Sequence, residues 1–95
     1  MSSKQEALGM IETWGIPALI AAADAATKAA DVRVMTYEMV DAGIVTLYLV
    51  GDVSSVQAAV DAGRSAAERV GKLLHTHVIA RPDSQLRARL LGDSD

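Results

Sequence analysis

The chain has 95 residues, of which 51% are apolar and 22% charged, with a net charge of −3. That length sets a single domain as the expectation, and the composition is too apolar for a disordered chain. Nine basic against twelve acidic residues leave no basic excess to neutralise a phosphate backbone, which disfavours nucleic-acid binding. Absent cysteine excludes disulfide scaffolds, thiolate metal sites and thiol nucleophiles. No apolar run reaches the roughly 18 residues that a membrane span needs, and the opening Met1-Ser2-Ser3-Lys4-Gln5-Glu6 lacks the apolar core of a signal peptide. A cytoplasmic protein, with neither nucleic acid nor lipid as partner, is the expectation.

Phe is absent, and Trp14, Tyr37 and Tyr48 are the only aromatic residues. Ala and Val supply much of the apolar half, and small side chains each contribute little transfer energy, at about 25 cal/mol per Å². A domain of this size buries only roughly 60–65% of its unfolded surface. Part of its stability can therefore come from a subunit interface.

In chain order, Ala7 to Thr13 reads as a strand, with Leu8 and Met10 on one face and Gly9 and Ile11 on the other. Pro17, close behind Gly15, suits the first turn of a helix. Ile16, Leu19, Ile20, Ala23, Ala26 and Ala30 then recur at helical spacing, with Asp24 and Lys28 four apart on a polar face. Val32 to Val40 is β-branched and alternating, with Val32, Val34 and Thr36 on one face and Arg33, Met35 and Tyr37 on the other. Asp41-Ala42-Gly43 follows, then a strand from Ile44 to Val50. A three-residue connection with Gly last fits a tight hairpin.

Asp52 is a good helix N-cap. Val53, Val56, Val60, Gly63, Ala67 and Val70 form an apolar stripe opposite Gln57, Asp61, Arg64 and Glu68, and Gly71 marks the helix end. Leu73 to Ile79 reads as a fourth strand, which Arg81-Pro82 ends. Ser84 to Leu91 reads as a short helix and the last four residues as a frayed tail. Displacing the first helix onto the second matches Ala21, Ala22, Asp24, Ala25, Ala29 and Ala30 with Ala58, Ala59, Asp61, Ala62, Ala66 and Ala67, a weak internal repeat.

Strand–helix–strand twice over is the split βαβ, ferredoxin-like arrangement of the α+β class. It predicts a four-stranded antiparallel sheet with both helices on one face. The other face would be less covered, and apolar residues there ask for a partner.

No catalytic constellation emerges. Asp24, Asp52 and Asp61 read as helix surface or cap. His75 and His77 face the same way on a strand, but no third metal ligand is evident. The serines have no base in a recognisable motif, and the glycines form neither a dinucleotide fingerprint nor a phosphate loop. No cofactor is expected, and function shifts to surfaces and assembly.

The run Glu6-Ala7-Leu8-Gly9-Met10-Ile11-Glu12-Thr13, with Gly15 after one further residue, closely resembles the opening of single-domain bacterial microcompartment shell proteins. The resemblance continues through Ala22-Ala23-Asp24-Ala25, Lys28-Ala29-Ala30, Tyr37-Glu38, Gly51-Asp52-Val53, Val60-Asp61-Ala62-Gly63 and His77-Val78-Ile79-Ala80-Arg81-Pro82. It covers roughly residues 5–83, the core of one domain spanning residues 1–95, with 84–95 as short helix and tail. It implies a structural protein rather than an enzyme, a cyclic hexamer with a central pore, and edge-to-edge tiling into a shell around an enzyme set. Its partners would be further copies of itself, other shell proteins, the enclosed enzymes and small metabolites crossing the pore. The alternative is a small ferredoxin-like metabolite-binding or regulatory domain forming a discrete small oligomer.

Asp41, Ala42 and Gly43 match the pore loop, where such proteins commonly carry Gly-Ser-Gly. Ala42 removes the hydroxyl at the narrowest point, and Asp41 adds a carboxylate. That carboxylate either faces the channel or caps the turn. Lys28 and Arg81 match the lysine and arginine of the tile-to-tile edge. Ala80 stands where Pro is frequent and Asp83 where His is frequent. Trp14 replaces a residue that is usually charged, and its indole is either packed or an exposed anchor.

Overall fold

A computed structural model describes residues 6–81 and residue 89. The elements run β1 (Ala7–Trp14), α1 (Ile16–Ala29), β2 (Arg33–Asp41), β3 (Ile44–Gly51), α2 (Val53–Val70) and β4 (Lys72–Ile79). The strands form one antiparallel sheet in the order β2-β3-β1-β4. The α+β, ferredoxin-like expectation is met. The short helix expected over Ser84–Leu91 lies outside the described residues apart from Arg89, which is helical.

Both helices pack on one face. Ala7 and Ile11 of β1 and Val45, Leu47 and Leu49 of β3 bury against Ala18, Leu19, Ala22 and Ala26 of α1 and Val56, Ala59, Val60 and Ala67 of α2. The core lacks bulk, so the layers close up instead. A Cβ on Gly63 would lie 3.1 Å from the Ala22 carbonyl oxygen, so the two helices touch backbone to backbone. Close approach keeps a small-residue core dense, which is what interiors require.

That approach turns α1 away from the predicted face. Ala18, Leu19, Ala22 and Ala26 point inward, whereas Ile16 and Ile20, expected in the stripe, are 40% and 59% exposed. A face of alanines admits α2 more closely than one with isoleucines. On α2 the buried stripe is Val56, Ala59, Val60, Gly63, Ala66 and Ala67, with Val53 and Val70 exposed at its ends. The Asp52 side chain accepts from the Ser55 backbone N–H at 2.9 Å, the expected N-cap. Gly71 ends the helix with its N–H on the Ala67 carbonyl, in an extended conformation rather than a left-handed one.

On the opposite sheet face, Leu8, Tyr48 and Val50 form a smaller buried cluster with Met10, Met35 and Ile79 packed on it. Polar groups complete that face. The Tyr48 hydroxyl donates to Glu38 at 3.0 Å, and Thr46 donates to Glu12 at 3.5 Å. Burial, reinforced by the hydrogen bond to Glu38, raises the Tyr48 phenol above its ordinary value.

Strand β2 departs from simple alternation. Val34 pairs with Leu49 but Thr36 pairs with Tyr48, so a bulge at Met35 shifts the phase. Thr36 and Glu38 therefore share the Tyr48 face. Tyr37 and Met39 move to the helix side, where they stand 58% and 65% exposed beyond the reach of α1. The predicted grouping of Val34 with Thr36 is thus corrected.

Candidate pore hairpin and tile edge

The register divides the domain into two ends. At one end Trp14 pairs with Ile44, and at the other Ala7 pairs with Gly51 and Leu8 with Ile79. Helix α1 runs from the first end back to the second, because it starts two residues after Trp14 and its exit, Asp31, lies beside Gly51. Lys28 in its last turn and Arg81 after β4 consequently sit toward one end of the domain. Asp41, Ala42 and Gly43 sit at the other end, about 20 Å away on the rise of a helix of this length.

The hairpin is tighter than predicted. Asp41 pairs with Ile44, so it belongs to the strand, and only Ala42 and Gly43 form the turn. Their φ angles are 31° and 92°, both positive, as in the primed turns that match strand twist. Gly adopts this conformation freely, whereas Ala pays about 1–2 kcal/mol of steric strain there. All three residues are exposed.

Two contacts hold this turn from the β1–α1 corner. The Gly15 N–H donates to the Gly43 carbonyl at 2.6 Å. The Trp14 indole lies over Gly43, so that a Cβ there would sit 3.6 Å from Cε2 and 3.7 Å from Nε1. Trp14 is nonetheless 52% exposed. It is therefore packed on one face and open on the other. Sequence reasoning missed its partner, because the contact joins two corners that only the β1–β3 register brings together.

Lys28 reaches the Asp24 carboxylate at 3.2 Å, with both side chains well exposed. Such a pair contributes little to stability and leaves the ammonium accessible. Arg81 is exposed at the same end. His75 and His77 do lie side by side on the open face, with ring centroids 6.2 Å apart. No group of three or more metal-ligating side chains occurs among the described residues, and no described helix is long and apolar enough to cross a membrane.

The BMC domain model matches residues 7–82. The chain is 49% identical over 83 residues to the bacterial microcompartment shell protein PduA of Citrobacter freundii, covering 87% of this chain and 89% of that one. It is 54% identical over 82 residues to the carboxysome shell protein CcmK2 of Synechocystis sp., covering 84% and 80% respectively. It is 49% identical over 93 residues to the shell protein EutM of Escherichia coli (strain K12), covering 94% and 96%. A microcompartment protein from Desulfitobacterium hafniense superposes with a TM-score of 0.81 at 37% identity, over 92% of this chain and about half (49%) of that one. The chain thus belongs to the BMC-domain family of bacterial microcompartment shell proteins, which are structural and not catalytic.

Proposed function

We propose that the chain closes into a six-membered ring that tiles edge to edge in a microcompartment shell in the bacterial cytoplasm. The hairpin Asp41-Ala42-Gly43 would surround a central pore, and Lys28 and Arg81 would meet the neighbouring tile. The observation that carries this reading is the placement of these two sets at opposite ends of one flat domain. In a ring, one end must face the axis and the other the rim.

The unpaired surface supports ring closure. Edge strand β2 presents Val34, Tyr37 and Met39, and α1 presents Ile16 and Ile20, all large apolar side chains exposed to water. Together they leave an exposed apolar surface on the β2–α1 side of the domain, which a neighbouring subunit would cover. Partners are then other copies of the chain, further shell proteins and the enclosed enzymes.

Six Asp41 carboxylates around one axis would disfavour anions and admit neutral or cationic metabolites. The test is the flux of a cationic against an anionic solute through shells built from wild type and Asp41→Asn. Loss of cation preference in the variant supports the reading. An unchanged ratio overturns it for Asp41.

A further inference from the structure

We infer that Trp14 is a positioning residue for the pore hairpin: its indole holds the turn in a conformation that the turn's own sequence disfavours. The inference rests on the pore reading above and adds what fixes the aperture.

Ala42 sits at φ 31°, in the left-handed region that a Cβ disfavours, at the exposed tip of a two-residue turn. Residues in such conformations persist when their surroundings hold them there. At this turn the hold is visible. Gly43 adopts φ 92°, and the side of its Cα that would carry a Cβ faces the indole, with ring atoms 3.6–3.9 Å from that Cβ position. Its carbonyl is fixed by the Gly15 N–H at 2.6 Å. Trp14 and Gly15 are consecutive, and Trp14 is the cross-strand partner of Ile44, the residue after the turn. Ring, hydrogen bond and strand pairing thus act on one peptide unit from one corner.

The brace bears on one departure of this sequence, the aromatic ring at position 14. A glycine in place of Asp41 would leave the strand end before the turn freer. Here Asp41 narrows that freedom, and the turn itself holds Ala42 in a strained conformer. A flat ring laid on Gly43 offsets that strain. A charged side chain at position 14 carries no ring to lay there. A hairpin held still has one aperture and one placement of Asp41, which is the condition for selecting among solutes.

The test is amide hydrogen exchange at Gly15, whose proton is the one shared with Gly43, in wild type, Trp14→Ala, Trp14→Phe and Ala42→Gly. Trp14→Ala should accelerate exchange by about tenfold, the loss of an interaction of ordinary aromatic strength. Trp14→Phe, which keeps a flat ring, should stay within about threefold of wild type. Ala42→Gly should slow exchange, and should restore protection when combined with Trp14→Ala, because it removes the strain. Exchange unchanged in Trp14→Ala overturns the inference. If that variant does not fold, unchanged exchange in Ala42→Gly overturns it instead.

The cation-to-anion flux ratio is measured on the same proteins. A ratio that falls with protection supports a positioning role. Accelerated exchange with an unchanged ratio overturns that role. Ring formation is read separately by light scattering, so that failure of wild type to form rings rejects the pore reading and leaves the exchange result to judge the brace.

Discussion

Gly9 lies on β1 directly beneath α2, and its replacement by Ala measures how tightly the small-residue core is closed. A Cβ there would sit 2.7 Å from Val56 Cγ1 and 2.8 Å from Val60 Cγ2. Both valines are buried, at 0% and 4% exposure, and a helical valine has essentially one χ1 rotamer. Neither methyl can swing aside, so α2 must lift by several tenths of an ångström along with its contact to α1. Overpacking of this kind costs about 1–3 kcal/mol. The loss of glycine's freedom in the unfolded chain returns about 0.4–1 kcal/mol. The net expectation for Gly9→Ala is a destabilisation of about 1–2 kcal/mol, lowering the urea midpoint by about 1 M at a slope of 1–2 kcal/mol/M. Trp14 emission follows the transition, at one fixed chain concentration because assembly stabilises by mass action. Gly63→Ala is the control. Its closest clash, 2.6 Å, is with the terminal Cδ1 of Ile11; the 3.1 Å approach to the Ala22 carbonyl asks α1 to give by a few tenths of an ångström, and Ala gains about 1 kcal/mol of helix propensity in return. It should be the milder of the two. A Gly9→Ala protein as stable as wild type, or more stable, refutes the reasoning.

Three further outcomes follow from the structure. The Ser55 backbone N–H on its side chain holds the Asp52 carboxyl below its ordinary value of 3.8, so the cap's contribution is complete above that pH and fades as pH falls through the lowered folded value. Asp52→Asn should remove that acid-dependent component from the pH profile of urea stability. Burial raises the Tyr48 phenol above 10.0, so its contribution holds below that pH and is lost as pH climbs through the raised folded value. Tyr48→Phe should flatten the alkaline limb of the same profile. Lys28→Ala gives up only an exposed pair to Asp24, so the ring should survive while electron microscopy shows the extended sheets lost; normal sheets would remove Lys28 from the edge.

The fold was legible because its signals are local. Alternation in β1 and β3, Pro17 after Gly15, the Asp52 cap and the apolar stripe of α2 each announce themselves within a few residues. What stayed hidden depends on the approach of elements distant in sequence. Ile16 and Ile20 share the helical spacing of a core stripe, yet the close contact of Gly63 with the Ala22 backbone selects the alanine face. The Met35 bulge reverses Tyr37 and Met39, and nothing in Val34-Met35-Thr36 marks it. At the hairpin, Gly43 announced a turn, but its two-residue length follows from Asp41 pairing with Ile44. The Trp14 contact could not be read before that pairing was known. Lys28, Arg81 and the hairpin were singled out by resemblance, and the register then showed the two sets to be separated along the domain.

The most direct test of ring closure is the absolute mass of the purified chain by light scattering behind size-exclusion chromatography. Six copies of a 10.0 kDa chain give a discrete species of about 60 kDa, seen in the microscope as a perforated disc. A 10.0 kDa monomer at every concentration and ionic strength contradicts ring closure, and with it both the pore and the tile edge.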